Sequence, residues 1–137
     1  MIVAIDGPSG AGKSTLAKRV ARDLGFTYLD TGAMYRALGL KILREGVDVA
    51  DDARLSRLVE ATEIDLEESD GKLAVLLDGE EVSALIRTPA VSQMASRVSA
   101  LDVVRRRMLE LQRALAAGAA WWPRGAISAR WFFQRRR

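Results

Sequence analysis

A glycine at position 7, followed at a fixed interval by Gly12-Lys13-Ser14-Thr15, puts flexible backbone, one ammonium and two hydroxyls into a stretch short enough to close around a polyphosphate. The spacing is G-x-x-x-x-G-K-[ST]. Gly7, Gly10 and Gly12 let the chain curl so that successive N–H groups converge on phosphate oxygens with no Cβ in the way. A helix opening near Lys13 adds the positive end of its dipole. Lys13 is suited to the β- and γ-phosphates, and the Ser14 hydroxyl to a Mg²⁺ ion bridging them. The expected nucleotide-binding stretch is therefore Gly7, Pro8, Ser9, Gly10, Ala11, Gly12, Lys13, Ser14 and Thr15, with Ser14 as metal ligand. A glycine-rich strand-to-helix turn that binds nothing is the alternative.

The elements needed to position this cradle are legible on either side of it. Residues 1–5 are short, β-branched and apolar, as in a strand buried on both faces. From Lys13 to Leu24 the spacing predicts a helix, with Leu16, Val20 and Leu24 inward and Lys18, Arg19 and Arg22 outward, stopped by Gly25. Phe26–Leu29 reads as a second buried strand. Asp30 or Thr31 then caps a helix whose apolar face is Met34, Leu38 and Ile42 and which runs to Gly46. Strand, helix, strand, helix is the rhythm of an α/β core with a parallel central sheet.

Beyond Gly46 the rhythm changes. A short helix is expected over 51–61, with Leu55, Leu58 and Val59 inward. Strands are expected over 64–68 and 72–78 about the Asp70-Gly71 pair, with a third over 81–86. Two helices follow, one after Thr88-Pro89 and one over 102–117. The expected organisation is a phosphate-cradle core in 1–46, an inserted antiparallel α+β subdomain and following helix in 47–117, and a separate tail in 118–137.

Composition bounds the chemistry. The chain of 137 residues fits one ordinary domain, and it contains neither cysteine nor histidine. Disulfides, thiolate metal sites and imidazole bases are thereby excluded. Carboxylates, lysine, arginine, hydroxyls and a bound ion remain. The formal charge of +3 is uneven: Arg124, Arg130, Arg135, Arg136 and Arg137 lie in the tail, which has no carboxylate, and without them the charge would be −2. The body is thus not a basic nucleic-acid-binding domain. No basic leader with a cleavage site opens the chain and no apolar run reaches membrane-spanning length, so the expectation is a cytoplasmic enzyme.

Three motifs, IDGPSGAGKST, YLDTGAMYRAL and IRTPAVSQMASRVS, occur in that order with the antiparallel segment between the second and third. Together they resemble bacterial cytidylate kinase, a P-loop nucleoside monophosphate kinase, over residues 1 to about 117. The resemblance implies transfer of the γ-phosphoryl group of ATP to CMP or dCMP, giving the nucleoside diphosphate, with Mg²⁺ as cofactor. It implies ATP and CMP or dCMP as the partners of a monomer, with no membrane and no specific nucleic acid. Carried over by motif, Asp30, Thr31 and Arg36 hold the monophosphate side of the acceptor, and Arg87, Ser96 and Arg105 contact the CMP phosphate or the cytosine ring. Lys13 and Arg36 become the catalytic cations. The residue types suit such a reaction, which needs positioning and charge neutralisation more than covalent help. Guanidinium groups grip phosphate through paired N–H bonds. Taken singly, Arg36 and Arg105 read as solvated cations, Ser96 as a helix-face hydroxyl, and Asp30 and Thr31 as a helix cap. Two other functions fit the cradle: a kinase of another small metabolite, and a non-catalytic nucleotide-binding fragment with a basic interaction tail.

The resemblance stops at Gly118. From there the chain holds all three tryptophans, Phe132 and Phe133, and no helical or strand period. The family pattern would continue with a strand and a Gly-Arg-Asp motif. Rereading the tail in a shifted frame supplies one. Trp121 into Trp122 forces GTG, valine; Trp122 into Pro123 forces GCC, alanine; Trp131 into Phe132 forces GTT, valine. With permitted codons elsewhere, the residues from Ala120 onward reread as VVAEGRDIGTVVFP. The tail is therefore expected to be a frameshift product that replaces the C-terminal half of the family fold. On this reading Val3 and Ile5 face a gap, the tail is disordered, sticky or nucleic-acid-binding without being selected for it, and the chain is inactive or nearly so.

Overall fold

The computed structural model describes residues 2–6, 12–23, 26–69, 72–117 and 130–135. In chain order the elements are β1 (Ile2–Asp6), α1 (Lys13–Asp23), β2 (Phe26–Leu29), α2 (Thr31–Glu45), α3 (Asp52–Glu60), β3 (Ile64–Ser69), β4 (Lys72–Leu77), β5 (Glu80–Glu81), a 3-10 turn (Leu85–Arg87), α4 (Pro89–Val98), α5 (Asp102–Ala117) and β6 (Arg130–Arg135). Each expected helix forms within a residue or two of its expected ends. Asp70-Gly71, the expected turn between β3 and β4, lies outside the described residues.

Helix α2 is the centre of the packing. Asp30 is its N-cap, with Oδ1 accepting the Ala33 N–H at 2.9 Å. Gly46 ends it at φ 60°, a left-handed cap that glycine adopts without steric cost, and the Val47 N–H closes the motif on the Ile42 carbonyl at 3.3 Å. Between these caps Met34, Leu38 and Ile42 are buried as expected, but so are Thr31, Gly32, Ala33, Ala37, Gly39 and Leu40. A helix buried on more than one face must have partners on several sides. Here they are α4, β4, the 3-10 turn, α3 and α5. Leu55, Leu58 and Val59 of α3 join this core with Val75 and Leu77 of β4, Val98 of α4, and Val104 and Met108 of α5. Against α4 the approach is close: a Cβ on Gly39 would stand 3.1 Å from both the Ala95 nitrogen and the Val91 oxygen.

Two sheets flank this helix cluster. One is the antiparallel run β3-β4-β5, with Ile64 opposite Leu77 and Leu66 opposite Val75. The third strand is shorter than expected. Asp78 and Gly79 both take positive φ (49° and 86°), the turn geometry that Asp-Gly favours between paired strands, so β4 ends at Leu77 and β5 is only Glu80–Glu81. The chain then leaves the sheet for the 3-10 turn, where a strand had been expected over 81–86.

The other sheet has the order β1-β6-β2. β6 pairs antiparallel with both neighbours, with Val3 opposite Phe133, Ile5 opposite Trp131 and Leu29 opposite Phe132. β1 and β2 therefore point the same way without bonding to each other. The parallel pairing expected of the central sheet is absent from the described strands. The expected gap beside Val3 and Ile5 is likewise filled, and part of the tail expected to lack a strand period forms β6. Backbone N–H and C=O groups along β1 and β2 require partners, and a strand between them supplies these in either direction. The run Trp131-Phe132-Phe133 has the aromatic composition that strands favour.

Helix α1 buries Ala17 and Ala21, not the expected Leu16, which is 55% exposed; Val20 is half-buried, and Leu24 lies outside the described residues. The side chains α1 buries are small, and β2 is a neighbour it packs against.

Gly39→Val should destabilise the chain by about 1–3 kcal/mol, because the branched side chain must displace α4 backbone. Urea unfolding measures this, and an unchanged midpoint would mean that α2 and α4 are not in close contact.

Candidate functional site

The first turn of helix α1 carries Lys13 and no acid; α2 and α4 likewise open without one, whereas α3 and α5 open on Asp52 and Asp102. The positive end of a helix dipole favours an anion when no carboxylate of the first turn offsets it. Gly12 stands immediately before the helix at φ 80°, a conformation that L side chains resist, and its carbonyl accepts the Leu16 N–H at 3.1 Å. Lys13 is half-buried; Ser14 and Thr15 are exposed in the first turn. Gly7, Pro8, Ser9, Gly10 and Ala11 lie outside the described residues.

A second group of ionisable side chains gathers at the N-terminal end of α2. Asp30 is half-buried, and burial is the main influence on its carboxyl, whose pKa rises to about 8 against the opposing pulls of the Ala33 N–H, Arg36 and Lys18. Arg36 is also half-buried, and its Nε is enclosed without a hydrogen-bond partner. Burial lowers its pKa, Asp30 works in the opposite direction, and the like charge of Arg87 adds to the lowering. Two guanidinium groups thus repel one another near a carboxyl that is largely protonated at neutral pH. Such a region favours an incoming dianion with several oxygens. Thr31 begins α2 fully buried between Asp30 and the helix core.

The structure brings Asp30, Arg36 and Arg87 together electrostatically and sets Thr31 beside them. Arg105, exposed on α5, is linked through Tyr35: the phenol is half-buried, which raises its pKa, and Arg105 draws it back down. Ser96 lies on the exposed side of α4, where its carbonyl accepts the Ser99 hydroxyl at 2.8 Å, and its side chain takes no part in the hydrogen bonds of the cluster. Sequence reasoning overlooked Lys18 and Tyr35. Lys18 reads in the sequence only as an outward cation of α1, and nothing in the spacing shows that its charge reaches Asp30. Tyr35 could have been suspected, since it immediately precedes Arg36. Among the described residues no group of three or more carboxylates could hold a metal by itself, and no helix is long and apolar enough to cross a membrane.

Known proteins resemble this chain over most of its length. The family model described as cytidylate kinase matches residues 3–121. A protein named cytidylate kinase from Pelotomaculum thermopropionicum is 55% identical over 117 residues, 85% of this chain and 52% of the relative. Similar proteins of the same name occur in Symbiobacterium thermophilum, 55% identical over 117 residues and also covering 85% and 52%, and in Caldanaerobacter subterraneus subsp. tengcongensis, 51% identical over 116 residues and covering 85% and 50%. The chain spans about half the length of the curated relatives it matches.

The raised pKa of Asp30 has a signed consequence for stability. Unfolded, the carboxyl releases its proton near pH 3.8; folded, it keeps the proton to about pH 8. The unfolded state therefore binds fewer protons between these values, and stability should fall as pH rises through that window. Asp78 acts in the opposite sense: burial disfavours its charge, but Lys41 and the Glu63 N–H outweigh it and hold the pKa below the usual value, so its contribution is lost on acidification. Asp30→Asn keeps a cap acceptor and cannot titrate. Thermal midpoints followed from about pH 5 to about pH 8 should decline less steeply in Asp30→Asn than in the parent; parallel declines would show that Asp30 is not buried in this way.

Proposed function

The chain belongs to the cytidylate kinase family, and from that premise we propose that its site is built for transfer of the γ-phosphoryl group of ATP to CMP or dCMP, in a chain that the shifted frame of 118–137 leaves with little or no turnover. The observation that carries this reading is Arg36: a half-buried guanidinium with a partnerless Nε, repelled by the charge of Arg87, with a carboxyl nearby that is mostly uncharged at neutral pH. A monophosphate dianion between the two arginines would supply the missing acceptor and cancel their repulsion. Asp30 orients the helix that carries Arg36 and, when protonated, adds no charge against the phosphate. Thr31, Ser96 and Arg105 complete the acceptor side, with Arg105 and Ser96 assigned to the cytosine edge.

The donor side rests on the stretch from Gly7 to Thr15. Lys13 and the α1 N-terminus hold the phosphates of ATP, and Ser14 offers Mg²⁺ a hard oxygen ligand in addition to phosphate oxygens and water. Bound there, Mg²⁺ offsets charge on the transferring group. The protein's own part is to hold two anions close and correctly oriented, and Lys13 and Arg36 reduce their mutual repulsion. The core of residues 1–46, the acceptor-binding insertion of 47–117 and a cytoplasmic monomer belong to the same reading.

Residues 118–137 fit a shifted reading frame. The family match ends at residue 121, close to Gly118 where the sequence character changes, and the reread tail contains the Gly-Arg-Asp segment that the pattern calls for. Sequencing the coding DNA across this junction should give codons that permit VVAEGRDIGTVVFP; codons that forbid it would end this reading of the tail.

Calorimetric titration tests the two halves of the site separately. Loss of one charge-assisted contact is expected to cost about 1.5–3 kcal/mol, roughly 10- to 150-fold in affinity. Arg36→Ala should show that loss for CMP with ATP binding retained, and Lys13→Ala the reverse. Ser96→Ala and Arg105→Ala should narrow the preference for CMP over UMP and AMP and leave ATP affinity unchanged. Equal losses for both ligands in every variant would contradict the division into donor and acceptor sides.

A further inference from the structure

Arg36, Arg87 and Arg105 stand on three different elements, α2, the 3-10 turn and α5. Like charges drift apart unless the elements that carry them are tied. The ties converge on the β4–β5 turn. Farther along α2, the Lys41 ammonium meets Asp78 Oδ2 at 2.6 Å, and Arg44 pairs with Glu80. Asp78 uses its other oxygen too: Oδ1 accepts the Glu63 N–H at 2.9 Å, while the Asp78 N–H donates to the Glu63 carbonyl at 2.8 Å. Glu63 in turn accepts from Arg107 Nη2 at 2.9 Å, and the same nitrogen donates to the Thr62 carbonyl at 2.9 Å. Arg107 lies on α5, close in sequence to Arg105.

The 3-10 turn hangs from the same hairpin. The Val82 N–H bonds the Val75 carbonyl at 2.8 Å, and the Val75 N–H donates to Ser83 Oγ at 2.9 Å. Leu85 and Ile86 then both donate to the Val82 carbonyl, at 2.9 and 3.2 Å, immediately before Arg87. An exposed ion pair would hold such an arrangement weakly. Lys41, however, is only 14% exposed at its side chain, so the pair with Asp78 is shielded on one side, and both carboxylate oxygens are committed.

We propose that Asp78 is a positioning residue whose carboxylate, held between Lys41 of α2 and Glu63, fixes the 3-10 turn and α5 against α2 and so sets Arg87 and Arg105 at working distance from Arg36. The proposal rests on the reading of those arginines as acceptor-binding groups. The competing account is that Asp78 merely suits a left-handed turn position before Gly79. Asp78→Asn separates the two accounts, because asparagine is at least as good in that turn and retains an acceptor for the Glu63 N–H, but it cannot pair as an anion with Lys41. Lys41→Met removes the same pair from the other side while keeping the apolar stem.

Two readouts are taken on the full chain: amide hydrogen exchange at Leu85 and Ile86, and dissociation constants for CMP and for ATP. Each single variant should speed exchange at both amides and weaken CMP by about three- to tenfold with ATP unchanged. The double variant should be little worse than either single, as expected for two members of one interaction. Unchanged exchange and unchanged CMP affinity would reduce Asp78 to a turn residue and overturn the proposal. So would a common loss of CMP and ATP affinity, or additive effects in the double variant. If the parent chain binds no CMP, the acceptor reading fails on its own account, and exchange still decides the tie: acceleration supports it and unchanged rates overturn it.

Discussion

A guanidinium held half-buried on a helix that is itself buried along most of its length constrains everything around it. Arg36 cannot leave α2, and α2 cannot leave the core, because Met34, Leu38 and Ile42 are enclosed on the same helix. Burying a charge without a full set of partners is costly, and the cost is met by packing elsewhere or relieved by a ligand. Within the protein the relief is incomplete. Asp30 lies near enough to favour the charged arginine, but burial keeps that carboxyl largely protonated at neutral pH, and Arg87 adds a second positive charge. The packing of α2 against α4, β4 and α5 holds the arrangement although its own charges do not balance.

The same helix explains why the site was partly legible in the sequence. Asp30 as a cap, Gly46 as a left-handed stop and Met34, Leu38 and Ile42 as one apolar face follow from local rules, so the position of Arg36 on α2 followed with them. The burial of Arg36 did not. Burial depends on which elements pack around α2, and approaches such as that of α4 at Gly39 are tertiary features that no local spacing records. The hairpin shows the opposite failure. Asp78-Gly79 is a local turn signal of the same kind as Asp70-Gly71, but it falls at the end of one expected strand, 72–78, and just before another, 81–86. Its partners Lys41, Glu63 and Arg107 are distant in sequence, so their convergence could be seen only in the folded chain.

The β1-β6-β2 sheet shows how far backbone satisfaction alone can shape a structure. β6 comes from a stretch whose residue pattern departs from the family, and it occupies the place between β1 and β2 in antiparallel register. Strand-forming aromatics and unpaired backbone on both neighbours are sufficient for that pairing. Hydrogen-bond satisfaction of a sheet is thus separable from the side chains that a working strand would deliver. Arg36, Arg87 and Arg105 stand on other elements, α2, the 3-10 turn and α5.

The central claim is that the unbalanced cations at the head of α2 await the monophosphate of the acceptor. The most direct measurement is a ¹H–¹⁵N spectrum of the arginine side chains of the full chain, titrated first with CMP and separately with ATP. On this account the Nε–H of Arg36, now enclosed without a partner, moves downfield and becomes protected from exchange as CMP saturates, and it responds little to ATP. An Arg36 Nε–H that remains unmoved at saturating CMP would contradict it.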